Sequence, residues 1–343
     1  VIRAIAVRPY RVEWAEPTGD ARRRFREREG LIVELEDAEG RVGRGEAAPL
    51  PGRAEESFSD CREALESLPL EALQSDFRSA GSLLSPSLSA ARHAVESALL
   101  ELEALRLGVP SWQVLARVIG REGPAVPLSA AALVDQQELP AALASAERAV
   151  ELGFRTLKLK IGREPVERIL SRVRALEAAF PGLTLRLDAN RTLSREEAIA
   201  LSRELVASPV EFLEEPSLDV GSSDIELPLA LDESVADPAF DPSLAPAQIL
   251  VLKPMLLGVA RCLEIAASAG DLKLVISHCF DGPHAMATAR ALALALGPGR
   301  PADGLGGHAV LTAWSAPVPE LLRGPVIEPW LEPGSGFALR SVE

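Results

Sequence analysis

Hydrophobic and polar positions follow two different patterns along the chain. In the first part, residues 2–12 read as a strand. Residues 30–37 and 42–47 read as the arms of an antiparallel hairpin that turns at Ala38-Glu39-Gly40. The polar stretch 16–29, with Arg22, Arg23, Arg24, Arg26 and Arg28, reads as a loop, either solvated or a flap whose arginines meet an anionic ligand. Pro49-Leu50-Pro51-Gly52 breaks the pattern, and a helix is expected over 55–68. A longer one is expected over 90–107, where Ala91, Ala94, Val95, Ala98, Leu102 and Leu105 recur at helical spacing before Gly108-Val109-Pro110. Residues 1–118 therefore predict a small α+β domain.

From about residue 125 apolar runs alternate with helical segments. The runs are 126–134, 156–161, 184–189, 210–214, 228–232, 248–253, 273–277 and a weak one near 303–306. The segments 140–152, 165–179, 195–208 and 258–269 have helical composition, while the connections after the fourth and fifth runs look short. Eight β-runs joined in this way predict an α/β fold closed as a (β/α) barrel over 119–316. The tail, 317–343, lacks the βα pattern and is expected to pack back on the first domain.

Composition narrows the options. Lys+Arg of 36 against Asp+Glu of 50 gives a net charge of −14, which argues against nucleic acid or an anionic membrane as partner. Cys61, Cys262 and Cys279 are scattered, with no CxxC spacing, as expected in a reducing cytosol. The first residues lack a signal-peptide pattern, and no apolar run reaches the ~18 residues of a membrane span. A soluble, cytoplasmic protein is expected, either monomer or homo-oligomer, with a small-molecule carboxylate as substrate.

The chemistry begins at Thr156-Leu157-Lys158-Leu159-Lys160. Alternation puts Lys158 and Lys160 on one face of a buried strand, roughly 7 Å apart, where each ammonium needs a carboxylate. Barrel chemistry sits at the C-terminal ends of strands, and those positions hold Lys158, Lys160, Asp188, Glu214, Asp232, Lys253, Ser277 and His278. Three carboxylates on adjacent strands would repel one another, so a divalent cation is expected among Asp188, Glu214 and Asp232. An all-oxygen donor set points to Mg²⁺, with Mn²⁺ as substitute. Lysines on both sides of a metal suit abstraction of a proton α to a carboxylate, with the metal stabilising the enediolate. Burial, the neighbouring Lys158 and the metal would fit Lys160 to act as base. Arg186, Asn190, Glu215 and Glu233 are expected to support the site or the fold without touching substrate. Ser277 and His278 are candidates for substrate contact, and Cys279 for packing. His93 is expected to be structural or on the surface, His284 and His308 to be exposed in loops.

As a set, Lys158-x-Lys160, Asp188-Ala-Asn190, Glu214-Glu215-Pro216, Asp232-Glu233-Ser234 and Lys253-Pro254 resemble the muconate-lactonizing subgroup of the enolase superfamily. The resemblance implies a modified (β/α)7β barrel of the TIM type, an N-terminal α+β capping domain and a C-terminal tail that completes the cap. It assigns Mg²⁺ to Asp188, Glu214 and Asp232, the base to Lys160, an opposing position across the substrate to Lys253 and electrostatic assistance to Lys158. Residues 22–28 and 48–52 would be capping loops, placing Arg26 and Pro51 near substrate. Gly45-Glu46-Ala47-Ala48-Pro49-Leu50-Pro51-Gly52 is similar to the GE-x-x-PLPG segment of the subgroup's o-succinylbenzoate synthases. These dehydrate 2-succinyl-6-hydroxy-2,4-cyclohexadiene-1-carboxylate to o-succinylbenzoate for menaquinone synthesis. The seventh-strand end, Ser277-His278-Cys279-Phe280, departs from the serine-rich end of those enzymes. N-acylamino acid racemisation, dipeptide epimerisation and muconate cycloisomerisation are the subgroup's other reactions. An Asp-x-Asp on the eighth strand, typical of the epimerases, is here Asp303-Gly304-Leu305. A catalytically silent binding barrel would have lost a metal ligand or the base, and this chain keeps them.

Overall fold

The computed structural model describes residues 1–19, 24–73, 76–123, 125–316 and 318–336. An antiparallel sheet leads the chain: β1 (Ile2–Gly19), β2 (Arg24–Asp37) and β3 (Val42–Ala47), in spatial order β1-β2-β3. Most of the polar stretch expected to be a loop is strand, because β1 and β2 continue pairing to Thr18–Phe25 and Gly19–Arg24 after an irregularity beyond Glu13–Glu27. Cross-strand backbone bonds carry this ribbon where its side chains are too polar to signal a strand. Arg22 and Arg23 lie outside the described residues.

Helices α1 (Phe58–Glu66), α2 (Ser89–Leu107) and α3 (Ser111–Val118) complete the first unit. Gly108 ends α2 in the left-handed conformation (φ 65°). The expected first barrel run divides in two. Leu128–Ser129 (β4) pairs antiparallel with Val326–Ile327 of the tail, and only Ala132–Val134 (β5) joins the parallel sheet. There follow α4 (Leu139–Glu151), β6 (Thr156–Lys160), α5 (Val166–Ala179), β7 (Thr184–Asp188), α6 (Arg195–Leu205), β8 (Val210–Glu214), β9 (Leu229–Leu231) and β10 (Ile249–Leu252). After them come α7 (Pro254–Leu257), α8 (Val259–Ser268), β11 (Lys273–Ile276), α9 (Pro283–Leu296), α10 (Ala309–Ala313) and β12, the tail strand Val326–Ile327.

Strands β5 to β11 form one curled parallel sheet in sequence order. The eighth barrel position is reduced to two bridges, Ser277–Gly304 and Ala130–Asp303. Alternation divides the side chains as a barrel requires. Leu157, Leu159, Leu185, Leu187, Leu213, Leu250 and Leu252 belong to the main core, while Phe212, Ala230, Ile249, Val251 and Val275 form a separate small cluster. Phe212, Ala230 and Val251 each precede by two a residue expected at the site (Glu214, Asp232, Lys253), so the cluster lies beneath it. After the tail strand the chain returns to the first unit: Trp112 donates to Trp330 O (2.8 Å), and Ser335 donates to Glu101 (2.7 Å).

Two buried glutamates tie this first unit to barrel helices. Glu46 accepts from Gly282 N (2.5 Å), Ala285 N (3.1 Å) and Tyr10 Oη (2.6 Å), at the N-terminus of α9. Glu96 accepts from Val259 N (2.5 Å) and Ala260 N (3.1 Å), at the N-terminus of α8. Helix N-termini offer unpaired N–H groups, and a carboxylate satisfies them. The close approach needs glycine: a Cβ on Gly282 would sit 2.6 Å from Glu46 Oε1, and one on Gly258 2.8 Å from Glu96 Oε2.

Burial pushes both carboxyls up to about 7, against the pull of these N–H groups. A folded-state value above the unfolded one means that the stabilising contribution is complete below about pH 4.5 and is lost as pH rises through 7. Metal-free wild type is therefore expected to lose denaturant stability between pH 5 and 8 relative to Glu46→Gln. Parallel pH profiles for the two proteins would contradict this.

Candidate active site

The C-terminal ends of β6, β7 and β8 carry Lys160, Asp188 and Glu214 in direct register, Lys160 opposite Asp188 and Asp188 opposite Glu214. Asp232 and Lys253 follow the last residues of β9 and β10. Asp188, Glu214 and Asp232 are buried, and one carboxylate oxygen from each lies within 4.8 Å of the others. Lys158 donates to Glu214 Oε1 (2.6 Å) and pairs with Asp188 Oδ2 (2.8 Å). Lys160 donates to Asp188 Oδ2 (2.6 Å) and Asn190 Oδ1 (3.1 Å), and Lys253 to Asp232 Oδ2 (2.5 Å).

Three acids and three lysines share one small volume, and their ionisation reflects it. Burial works against Asp188, yet Lys158 and Lys160 hold its carboxyl far below the usual range. Glu214 is pushed up to about 8 by burial and by Asp188 and Asp232, against the pull of Lys158. Burial opposes the charge on Lys158 and Lys253, but their carboxylate partners raise both above the ordinary lysine value. A carboxyl driven upward by neighbouring acids marks a place where added positive charge is favourable. Three buried oxygen donors on rigid strand ends therefore fit a hard divalent cation, and Asp188, Glu214 and Asp232 could hold it.

The residues just beyond these strand ends adopt left-handed backbone: Asn190 (φ 47°), Arg191 (φ 59°), Glu215 (φ 40°) and Phe280 (φ 57°). Each is held by hydrogen bonds. Asp188 Oδ1 accepts from Asn190 N (3.1 Å), while Glu215 accepts from Asp232 N, Ser234 N and Arg191 (2.9, 2.7 and 2.8 Å). Strain concentrated where a rigid scaffold over-determines it is a mark of functional sites.

Lys158, Lys160, Asp232, Lys253, Ser277 and His278 border one cavity. Other expected contacts are elsewhere. Pro51 is exposed and faces a separate groove, while Leu50 and Arg53 reach the site. Arg26 is exposed, and the buried arginine of that segment is Arg28, which donates to the carbonyls of Ala48, Pro49 and Phe280. Arg28 thereby joins the 48–50 segment to the loop after β11. Arg186 is buried but reaches away from the acids, to Glu211 (2.8 Å), Ala302 O (2.6 Å) and the face of Phe212 (4.7 Å). His284 and His308, expected to be exposed, are buried at 7% and 8% exposure, because the elements that cover them come from other parts of the chain. His93 is wholly buried and bonds Glu46 O (2.8 Å). The three cysteines are free and buried.

Arg53, which no sequence pattern singles out, pairs with Glu233. Glu233 also accepts from Asn190 Nδ2 (3.1 Å), and Asn190 in turn holds Lys160. Arg53→Gln is expected to lower kcat about tenfold by releasing this chain of contacts, and Arg53→Lys to recover part of the loss. Unchanged kcat in Arg53→Gln would contradict the coupling.

The fold and the acid triad define a class, the barrel enzymes that gather carboxylates and lysines at the C-terminal ends of their strands. Residues 141–341 match the family model described as enolase C-terminal domain-like, and residues 3–101 match that of the MenC N-terminal domain. The chain belongs to the enolase superfamily. It is 29% identical over 339 residues to the o-succinylbenzoate synthase of Yersinia pestis, covering 93% of this chain and 91% of that one. It is 31% identical over 248 residues to the L-Lys-D/L-Arg epimerase of Methylococcus capsulatus, covering 68% of this chain and 65% of the epimerase. A dipeptide epimerase from Enterococcus faecalis, solved with Mg and L-Leu-L-Tyr, superposes with a TM-score of 0.85 at 23% identity over 98% of this chain and 99% of that one. The protein is an enzyme of this superfamily, and no helix among its described residues is long and apolar enough to cross a membrane.

Proposed function

We propose that the protein dehydrates 2-succinyl-6-hydroxy-2,4-cyclohexadiene-1-carboxylate to o-succinylbenzoate. When bound by Asp188, Glu214 and Asp232, Mg²⁺ would supply Lewis-acid stabilisation of the charge that develops on the substrate carboxylate. Lys160 removes the α-proton. As a neutral amine it can donate its two hydrogens to Asp188 and Asn190 and keep its lone pair for that proton. The ammonium so formed gives the proton to the departing hydroxyl, so that a C–H and a C–O bond break, a ring double bond forms and water leaves. Lys253, on the far side of the cavity, faces the electron-rich intermediate as a fixed cation. Lys158 keeps a positive charge shared between Glu214 and Asp188.

The observation that favours this reaction over epimerisation is the far wall of the cavity. Gly304, Gly306 and Gly307 stand at the eighth strand, and Asp303 is turned away, accepting from Arg300 (2.9 Å) and Ile276 N (2.8 Å). Among the described residues, the acids lining the cavity are Asp232 and Glu233, each already paired with a cation. A substrate ammonium in a buried wall needs a carboxylate. A second reading, 1,1-proton transfer on an acylated amino acid or dipeptide, is favoured by the presence of Lys160 and Lys253 on opposite sides and by the epimerase relative.

An ultraviolet assay for the aromatic product, run with Mg²⁺ and the cyclohexadiene precursor, tests the first reading. Well-folded, Mg²⁺-loaded protein that gives no product would overturn it. Deuterium wash-in at the α-carbon of recovered substrate tests the second, because a racemase exchanges that proton.

A further inference from the structure

His278 stands at the cavity wall beyond the lysines, and its hydrogen bonding fixes more than its position. The backbone N–H of Phe280, in left-handed backbone, donates to His278 Nδ1 (3.0 Å). A neutral imidazole has one N–H and one lone pair, so an accepting Nδ1 places the hydrogen on Nε2. His308 stacks on this ring, with centroids 4.2 Å apart and planes inclined by 28°. Phe280 stands edge-on to both imidazoles, and Phe25 edge-on to Phe280. Neither nitrogen of the buried His308 has a partner among the described residues. Burial and Arg28 push His308 down to about 3, and burial, His308 and the site lysines hold His278 well below its ordinary value. The accepting Nδ1 fits a neutral His278 ring, and no hydrogen bond from His278 Nε2 to another described residue competes for its hydrogen.

We propose that His278 is a specificity-determining residue whose Nε2–H, locked in place by Phe280 N and the His308 stack, requires an oxygen acceptor on the portion of the substrate that extends away from the acid triad. The assignment rests on the reading of this cavity as the substrate site of a carboxylate-directed lyase, and it adds the polarity that the distal portion must have. An anionic or carbonyl oxygen completes the donor. An ammonium meets a hydrogen there, and the cavity's carboxylates among the described residues, Asp232 and Glu233, are already paired with Lys253 and Arg53.

The tautomer can be read without turnover, from the ¹⁵N shifts of His278 in the metal-loaded protein at pH 7, and protonated Nε2 with unprotonated Nδ1 is expected. Binding of o-succinylbenzoate by calorimetry is then compared among wild type, His278→Phe, which keeps a ring for the stack, and His278→Gln, which keeps a donor. About tenfold weaker binding or more is expected for Phe, with Gln within a few-fold of wild type. An Nδ1–H tautomer, an imidazolium, or equal binding by His278→Phe would overturn the proposal. If wild type ignores o-succinylbenzoate but turns over an N-acylamino acid, the synthase reading falls and the same variants on that ligand decide the role of His278. Efficient turnover of a dipeptide that depends on its free ammonium would overturn both.

Discussion

Lys160→Ala is expected to lower turnover by about a thousandfold or more, the range set by losing a positioned acid–base group, while leaving the fold and Mg²⁺ binding in place. The expectation follows from how the charges are shared. Asp188 Oδ2 is held by two lysines, so removing Lys160 leaves Lys158 on the same oxygen at 2.8 Å. The acid triad keeps its ion pairing, and Asn190 keeps its bond to Glu233. What disappears is the only amine held against both Asp188 and Asn190 among the described residues, and in the proposed reaction it serves twice, once for the α-proton and once for the leaving hydroxyl. Single-turnover kinetics beside calorimetric Mg²⁺ titration would separate the two effects. A variant that binds Mg²⁺ normally and retains most of the wild-type rate would remove Lys160 from the chemistry.

Asp188→Asn is expected to be the most damaging change of similar size. It abolishes measurable Mg²⁺ binding and destabilises the metal-free protein by about 3–5 kcal/mol, the cost of leaving a buried charge without its partner. Two ammonium groups lose their common carboxylate at once, in a site where Asp188 is fully enclosed. The pH dependence has a definite sign. The carboxyl of Asp188 titrates below its ordinary range in the folded protein, so its contribution is present above about pH 3.9, the unfolded value, and is lost as pH falls through the folded value. The deficit of the variant should therefore be large at pH 7 and shrink in strong acid. Chemical denaturation at the two pH values measures it, and a deficit independent of pH would show that the cost lies in packing instead of charge.

Local pattern was enough to single out six residues that folding gathers in one place. Lys158, Lys160, Asp188, Glu214, Asp232 and Lys253 sit at the ends of short apolar runs, and the barrel rule that chemistry collects at those ends selects them one by one. The structure brings all six together. The failures have a common physical origin. Residues 24–29 are strand because β1 runs beside them, and no residue in that polar stretch announces the pairing. Arg28 was indistinguishable from Arg26 in sequence; Arg28 pairs in regular register with Val12 and reaches three carbonyls, whereas Arg26 falls in the irregular stretch beyond Glu13–Glu27 and is exposed. Pro51 and Leu50 are neighbours in a loop, and only its packing on the barrel decides which one faces the site.

Whatever depends on periods of two and 3.6 and on residue type at strand ends is thus legible along the chain: the alternation of barrel elements, the three acids and the lysines. Contacts between segments far apart in the chain arise only on folding. Glu46 and Glu96 cap helices more than 160 residues away, Arg53 reaches Glu233, and His308 stacks on His278. A carboxylate that meets a helix N-terminus, or an imidazole that meets another ring, looks locally like any polar side chain. Its role comes from the partner that folding places within 3–4 Å of it.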